Sequence, residues 1–307
     1  MSDLGYWIGF NKVRGIGPLR LRMLLDTYGS IEQAWNASPE QLKDIGLDSR
    51  SIRNLTKARS QLDLDRELER VATVGAQVLT WESPGYPRLL LEIDAPPPVL
   101  YVKGGLREDD AWAVAIVGTR RASTYGREVT RRLAGALARN GITIVSGLAR
   151  GIDGVAHQAA LEAGGRTIAV FGCGIDQIYP PEHRRLASQI PEHGALISDY
   201  PVGTPPEGRN FPPRNRIISG LSLGVLVTNA GKSSGALITA DFAAEQGRDV
   251  FAVPGSILTQ GSIGTNTLVQ DGARLVTRAD DVLEELNLTM VAEQTEARQV
   301  LPEDETE

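Results

Sequence analysis

The sequence predicts a doubly wound α/β fold, in which helices cover both faces of a mostly parallel sheet. Three apolar, β-branched runs each end in a glycine turn and lead into helix-like sequence: AVAIVG (113–118), ITIVSG (142–147) and TIAVFG (167–172). Such repeated alternation of strands and helices is typical of parallel sheets. Because open sheets of this class bind ligands at the carboxyl ends of their strands, a functional site is expected along that edge.

The first 60 residues predict short helices rather than strands. VRGIGP (13–18), followed by LRLRMLLDTYG, has the spacing of a helix–hairpin–helix, and the segment 42–47 followed by SRSIRNL is a weaker copy. Backbone amides at the start of the second helix of such a motif can hold a DNA phosphate. A small helical bundle that serves only packing explains the pattern equally well.

The remaining elements follow in order along the chain. Residues 61–75 predict a connecting helix, and the prolines at 96–98 confine two extended segments, 77–81 and 99–103, to edge or irregular positions of the sheet. The main sheet domain then begins near residue 111. Its further elements are predicted as helices over 126–140, 153–163, 181–189, 236–246 and 280–287, and as strands over 195–198, 223–228 and 250–253. The segment 290–307 has no strong periodicity and is expected to be a disordered acidic end.

Positive charge concentrates in the middle of a chain whose net charge is −6. Residues 118–216 hold 13 Arg, no Lys and 8 acidic residues, a local charge of +5, whereas residues 279–307 hold 10 acidic residues and one base. This asymmetry can signal an anionic partner. The use of arginine favours planar, bidentate contacts with phosphate, although solvated helix faces explain many of the single arginines.

Composition argues against several other classes of protein. No apolar run approaches the ~20 residues needed to cross a bilayer, and the acidic start does not resemble a secretion signal. Cys173 is the only cysteine, which fits a reducing, cytosolic location. The three histidines and this cysteine lack the spacing of metal ligands. No Gly-x-Ser-x-Gly elbow of a hydrolase is present.

The turn after the first run, GTRRASTYG (118–126), places arginines at the start of a helix. It lacks the G-x-G-x-x-G spacing of a dinucleotide fingerprint, and no acidic residue closes the next strand to hold a ribose, so no NAD-type cofactor is expected. Hydroxyls, free amides and an arginine at a helix entrance suit a phosphate group. Arg120 is predicted to bind it, whereas Arg121 fits a solvated side chain as well.

The turn after the second run, SGLARGID (146–153), has glycines on both sides of an apolar pair. Gly147 and Gly151 would let the backbone approach a ligand closely. Asp153 is expected to cap its helix, and a catalytic role for it stays open. His157 fits a packed or surface position better than a functional one.

Two later segments add polar groups at the same edge. RNFPPRNR (209–216) combines Phe211 with arginines, which is how proteins stack the bases and hold the phosphates of single-stranded nucleic acid. Phe211 fits a core position equally well. GKSS (231–234) lacks the earlier glycine of a P-loop, so no P-loop is expected.

Taken in order, these motifs resemble the DNA-processing protein A family (DprA, also called Smf). The segments that carry the resemblance are Tyr86-Pro87 with PPPVLYVKG, then VGTRRASTYG, VSGLARGIDGVAH, GCGIDQIYPPEH, NFPPRNRIISGLS, SSGALITADFA and QGRDVFAVPGSI. The resemblance implies a helical, sterile-alpha-motif-like or helix–hairpin–helix domain over 1–65 and an extended Rossmann DNA-binding domain over 66–288. The disordered acidic tail that composition predicts then spans 289–307. The resemblance also implies a non-enzymatic activity. A cytoplasmic location and the absence of a cofactor or metal are expected from the residues described above.

The family resemblance further implies what this chain binds. Members bind single-stranded DNA, form dimers and help to load RecA recombinase onto DNA taken up during natural transformation, in competent cells. The DNA-binding residues that it implies here are Gly118, Thr119, Arg120, Arg121, Ser123, Gly126, Gly147, Gly151, Arg184, Arg209, Phe211, Arg214, Asn215, Gly235 and Thr239. A homodimer is expected through residues 270–287. There, Asp280, Asp281, Glu284 and Glu285 would offer RecA an acidic patch or form an ordinary solvated helix.

The chain departs from the family at two places, and two other functions stay open. Many relatives have glutamate where this chain has Asn229, and many end in a winged-helix domain for which the residues after 287 are too few. A nucleotide-binding sensor would use the same pocket for a small ligand. A nucleoside-monophosphate phosphoribohydrolase would need a Pro-Gly-Gly-x-Gly-Thr loop and a nearby glutamate, which Pro254-Gly255-Ser256 and its surroundings do not supply.

Overall fold

The computed structural model describes residues 3–288 and residue 291. Its strands are β1 (Gln77–Thr80), β2 (Val99–Gly104), β3 (Ala113–Gly118), β4 (Thr143–Ser146), β5 (Thr167–Phe171), β6 (Gly194–Ser198), β7 (Gly224–Asn229), β8 (Asp249–Ala252) and β9 (Arg274–Leu275). Its helices are α1 (Asp3–Asn11), α2 (Pro18–Tyr28), α3 (Ile31–Asn36), α4 (Pro39–Asp44), α5 (Ser49–Gln61), α6 (Leu64–Thr73), α7 (Arg88–Leu91), α8 (Thr124–Arg139), α9 (Ile152–Glu162), α10 (Arg184–His193), α11 (Phe211–Gly220), α12 (Ala236–Glu245), α13 (Ile263–Gln270) and α14 (Asp280–Glu285).

The strands form one sheet in the order β1-β2-β6-β5-β4-β3-β7-β8-β9. All neighbours from β6 to β9 are parallel, and only the β1–β2 and β2–β6 pairs of the described sheet are antiparallel. The chain moves outward from β3 through β4, β5 and β6, and then returns to the other side of β3 as β7. The strand order therefore reverses between β3 and β7, where α/β folds bind ligands.

Alternation along β3 separates the two faces of the sheet. Ala115 and Val117 pack with α11 and α12 on one face, and Ile116 packs with α8 and α9 on the other. This alternation follows from the two-residue period of a strand. On α8, Leu133 and Leu137 are buried against the sheet, as their helical spacing predicts. The doubly wound α/β prediction is confirmed.

The N-terminal helices share a hydrophobic core with one end of the sheet. Trp7, Phe10 and Trp35 belong to the same buried cluster as Tyr101 of β2. Helix α6 packs against α1 so closely that a Cβ at Gly9 would lie 3.0 Å from the Leu64 side chain. The helical character of this part is as predicted. Because the core is continuous, the proposed division at residues 65 and 66 stays a prediction.

Three local expectations need correction or lie outside the described residues. Strand β2 is not an edge or irregular segment but a buried strand between β1 and β6, because the prolines at 96–98 precede it and leave its ladder amides free to donate. A short 3-10 turn (Pro181–His183) precedes α10, which continues to His193 with Pro191 in its last turn. The prediction of disorder concerns residues that the structure largely does not describe.

Two negative findings hold for the described residues. No helix among them is long and apolar enough to span a bilayer. They also contain no cluster of three or more His, Cys, Asp or Glu side chains placed to hold a metal ion.

Candidate functional site

A cavity of about 470 Å³ opens at the carboxyl ends of β3 and β7, where the strand order reverses. One wall is the turn after β3, with Gly118, Thr119, Arg120 and Arg121. The opposite walls are the starts of α11 and α12, with Phe211 and Gly235 among others. The cavity therefore occupies the edge that the sequence pattern predicts.

The turn after β3 is fastened to the end of β7 by hydrogen bonds. The Thr119 amide donates to the Asn229 carbonyl oxygen over 2.7 Å, and the Ser123 amide donates to Asn229 Oδ1 over 3.2 Å. Ser123 Oγ accepts from the Gly126 amide over 3.0 Å and so caps α8. Ser123 and Gly126 therefore hold the turn in place, and they do not line the cavity.

Asn229, the last residue of β7, joins two loops. Its side chain is buried; Nδ2 donates to the Gly261 carbonyl oxygen over 2.7 Å while Oδ1 accepts from Ser123. A carboxylate cannot donate the first of these bonds. The amide at this position is therefore a structural clip between the turn after β3 and the loop after β8.

Gly151 supports the same turn from below. Its φ of 77° and ψ of −123° lie in a region that only glycine adopts readily. A Cβ there would overlap the Thr119 carbonyl oxygen and lie 2.8 Å from the carbonyl carbon of Arg120. The Arg120 backbone thus rests directly on residue 151, so any side chain at 151 must displace it.

Arg120 and Phe211 face one another across the cavity. The Arg120 guanidinium carbon lies 5.6 Å from the centre of the Phe211 ring, within the range of a cation–π contact. The ring of Tyr179 lies on Phe211 with 5.5 Å between centroids. Phe211 is half-buried, so its ring belongs to the site rather than to the hydrophobic core.

Arg214 forms the floor of the cavity. Its side chain is buried, and Nη1 donates to the carbonyl oxygens of Gly147, over 3.0 Å, and Val170. Nε has no hydrogen-bond partner among the described residues. Burial lowers the pKa of this guanidinium from its ordinary value, but arginine stays protonated in proteins. A positive charge thus lies beneath the site. A Cβ on Gly147 would lie 2.6 Å from Nη2 of this guanidinium.

Asp153 does not cap its own helix, contrary to expectation. Its Oδ2 accepts from the amides of Gly147 and Ala149, over 3.1 and 3.3 Å, and so holds the turn that precedes α9. Burial raises the pKa of this carboxyl group. His157, one turn further on, is fully buried and bonded to Thr167 Oγ1 over 2.7 Å, and burial lowers its pKa to about 3. His157 is a packed residue, as expected.

The charge around the cavity is positive. Among the described side chains, Arg120 and Arg121 form no ion pair or side-chain hydrogen bond, and both are exposed. Asp153 carries the one carboxylate that lines the described cavity, and its Oδ2 already accepts two backbone hydrogen bonds. Free arginines above a buried arginine favour an anionic ligand.

The structure brings together most of the residues predicted from the sequence. The cavity itself is lined by Gly118, Thr119, Arg120, Arg121, Phe211, Arg214, Asn215, Gly235 and Thr239. Gly147 lines a smaller adjoining pocket with Tyr179. Ser123, Gly126 and Gly151 lie beneath the lining as supports.

Arg184 and Arg209 lie outside this cavity, contrary to the expectation of a single shared pocket. Arg184 does not line the cavity or the adjoining pocket, and the neighbouring His183 has its Nδ1 2.9 Å from the Leu148 carbonyl oxygen. Arg209 sits in a 3-10 turn (Gly208–Asn210), which has three residues per turn. Gly208 therefore faces the cavity while Arg209 points into a second groove.

Sequence reasoning missed several residues of the lining. Gly208, Ser234 and Ile238 contribute to the cavity, and Tyr179 stacks beside it. Ser234 precedes α12 in a small, polar segment, which was a usable signal. Tyr179 had none, because its contact with Phe211 joins residues 32 positions apart.

Comparison with protein families gives an independent result. Residues 77–287 match the model of the family described as DNA recombination-mediator protein A. The Protein Smf of Synechocystis is 42% identical over an alignment that covers 99% of this chain and 77% of that protein.

Two solved structures are similar along most of their own length. DNA processing protein A from Streptococcus pneumoniae has a TM-score of 0.81 at 37% identity, covering 93% of this chain and 98% of that one. DNA processing protein A from Helicobacter pylori, studied for its single-stranded DNA binding mode, has a TM-score of 0.62 at 32% identity, covering 70% of this chain and 97% of that one.

Proposed function

This chain belongs to the DNA recombination-mediator protein A family, and from that premise we propose that it binds single-stranded DNA in the cavity at the carboxyl ends of β3 and β7. The observation that carries the proposal is the Arg120–Phe211 pair, with the buried Arg214 beneath it. Single-stranded nucleic acid binds where bases can stack on an aromatic ring and phosphates can contact arginines that form no ion pair. The single-stranded DNA binding of the similar Helicobacter pylori protein supports the same ligand.

In this proposal different side chains at the cavity contact the phosphates and the bases of the DNA. Arg120, Arg121 and the hydroxyl of Thr119 hold backbone phosphates at the turn that opens α8. Phe211 offers a half-buried ring on which a base stacks. Arg214 adds positive charge from below without leaving its backbone partners. Asn215, Gly235 and Thr239 form the far wall.

The chain acts as a mediator rather than as an enzyme in this account. Asp153 is the one carboxylate of the described lining, and it is committed to the amides of Gly147 and Ala149. A phosphoribohydrolase would need a carboxylate that is free to reach the sugar. The cavity volume also suits a free nucleotide, so competition by a mononucleotide separates a sensor from a DNA-binding protein.

We extend the proposal to a homodimer that delivers DNA to RecA during natural transformation. The family description as a recombination mediator supports this role. Strand β9 ends the sheet with both residues exposed, which leaves an edge available within the proposed dimer region 270–287. The carboxylates of α14 are less suited to attract a partner, because Arg278 lies within 4.0 Å of Asp280, Asp281 and Glu284.

The proposed stacking role is tested by replacing Phe211. Phe211→Ala is expected to weaken oligo-dT binding by about 1–3 kcal/mol, because a base loses its aromatic platform, whereas Phe211→Tyr keeps the platform and should bind normally. Fluorescence anisotropy with labelled oligo-dT measures both variants, and urea denaturation confirms that each is folded. Unchanged affinity of a folded Phe211→Ala protein would remove Phe211 from the binding site.

A further inference from the structure

A second groove runs between the N-terminal helices and the sheet domain. It has a volume of about 570 Å³. The N-terminal side is formed by the end of α1 and the turn that follows, including Lys12 and Arg14. The other side is the loop after β6, residues 200–205, together with Glu207 and Arg209. The groove thus joins two parts of the molecule.

The two depressions share one wall. Gly208 lines the cavity that contains Phe211, whereas Glu207 and Arg209 on either side of it line the groove. Only the 3-10 turn Gly208–Asn210 separates them. The cavity and the groove therefore lie on either side of one short turn, which an extended chain would cross in passing from one to the other.

The groove carries more cations than carboxylates. Glu67 is shared by Lys12, at 2.6 Å, and Arg70, at 3.1 Å, and Arg70 also reaches the Val202 carbonyl oxygen in the groove. Arg209 pairs with Glu207 over 2.5 Å. Arg14 is exposed, and its guanidinium pairs with no described residue. The groove therefore has one unpaired cation, Arg14. The paired groups also leave an excess of positive charge, because the single carboxylate of Glu67 serves both Lys12 and Arg70.

Two side-chain hydrogen bonds hold the backbone at Arg14 and Gly15. Asn54 Nδ2 donates to the Arg14 carbonyl oxygen over 2.7 Å, and Arg20 Nη1 donates to that of Gly15 over 2.7 Å. Both bonds tie the turn between α1 and α2 to neighbouring helices. The Arg14 side chain is thus presented on a fixed support, which lowers the entropic cost of binding.

We propose that this groove binds the backbone of the same DNA strand after it leaves the cavity, with Arg14 on a phosphate. The inference rests on the proposed function. It gives the N-terminal helices a direct part in DNA binding and makes the binding site longer than the cavity alone. The unpaired guanidinium, the excess of cations and the shared wall all favour an anionic, extended ligand.

The test compares a short and a long oligonucleotide. Oligo-dT of about six nucleotides should occupy the cavity alone, whereas about twenty should also fill the groove. Arg14→Glu is expected to weaken binding of the long one by about tenfold and to leave the short one unchanged. Lys43→Glu is the control, because it reverses an exposed charge on α4, outside the groove. It should leave the affinity for both oligonucleotides unchanged.

The possible results separate the two proposals. Urea denaturation first establishes that the Arg14→Glu variant is folded. If this variant then binds the long oligonucleotide as tightly as Lys43→Glu does, the groove is not part of the DNA-binding site. A loss confined to duplex DNA would also overturn this inference. If the wild-type protein binds neither oligonucleotide, the proposed function itself fails, and the inference falls with it.

Discussion

Replacing Gly151 with alanine is expected to lower the free energy of unfolding by about 3 kcal/mol and to weaken single-stranded DNA binding by at least about tenfold. The backbone at 151 has a φ of 77° and a ψ of −123°, which strains any other residue. A Cβ would also overlap the Thr119 carbonyl oxygen. The turn that carries Arg120 must then move, so stability and affinity should fall together.

Gly164→Ala is a matched control at the other end of α9. Gly164 has a similar φ of 74°, but apart from its chain neighbours no atom of the described residues lies within 4 Å of its Cβ position. Alanine there adds backbone strain without a clash, so a loss of about 1 kcal/mol in stability is expected, with normal DNA affinity. Urea denaturation and oligo-dT titration measure both quantities. Equal behaviour of the two variants would show that Gly151 does not support the Arg120 turn.

Replacing Arg120 with alanine is expected to weaken oligo-dT binding by about 10- to 100-fold, because a charge-assisted contact with phosphate is lost. The guanidinium is exposed and has no ion-pair partner among the described residues, so the fold should be unaffected. The salt dependence should also flatten: the slope of log affinity against log salt should fall by about 0.7 for one phosphate contact.

Arg139→Ala provides the same change of charge away from the site. Arg139 is exposed at the end of α8, far along the helix from the turn that carries Arg120. Titrations of wild type and both variants across a salt series distinguish a local contact from general attraction. If Arg120→Ala and Arg139→Ala lose equal affinity, Arg120 contributes only to the overall field and does not contact the DNA.

Sequence periodicity was sufficient for the fold because the signals were local. Each buried strand from β3 to β5 is a continuous apolar run closed by glycine or a polar turn, and α8 repeats its apolar residues at helical spacing. Strand β2 was misjudged because the prolines at 96–98 predict limited pairing for it, whereas they precede the strand and leave its amides free to donate on both sides. Its pairing with β6 joins Tyr101 to Ser198, which no local pattern reveals.

The site was predictable where residues follow directly from strand ends. Gly118 and Arg120 come at the end of β3, so the parallel sheet fixes their position. The orientation of Arg214, Arg184 and Arg209 was not predictable, because it depends on the phase of short helices and turns. Arg214 proved to be buried beneath the cavity, whereas Arg209 points into the groove.

Sequence alone also could not separate contact residues from supports. Ser123 and Gly126 belong to the same turn as Arg120, yet they serve Asn229 and the start of α8 rather than the cavity. This distinction depends on the contact between Ser123 and Asn229, which lie 106 positions apart in the sequence. Long-range contacts of this kind are set by the tertiary fold.

The central claim, that this edge of the sheet holds an unpaired DNA strand, is tested most directly by one titration series. The wild-type protein is titrated with oligo-dT and with a duplex of the same length at increasing salt concentration. We expect tighter binding to the single strand at every salt concentration, with an affinity that falls as salt rises. Equal or tighter binding to the duplex, or no binding to oligo-dT at low salt, would contradict the account.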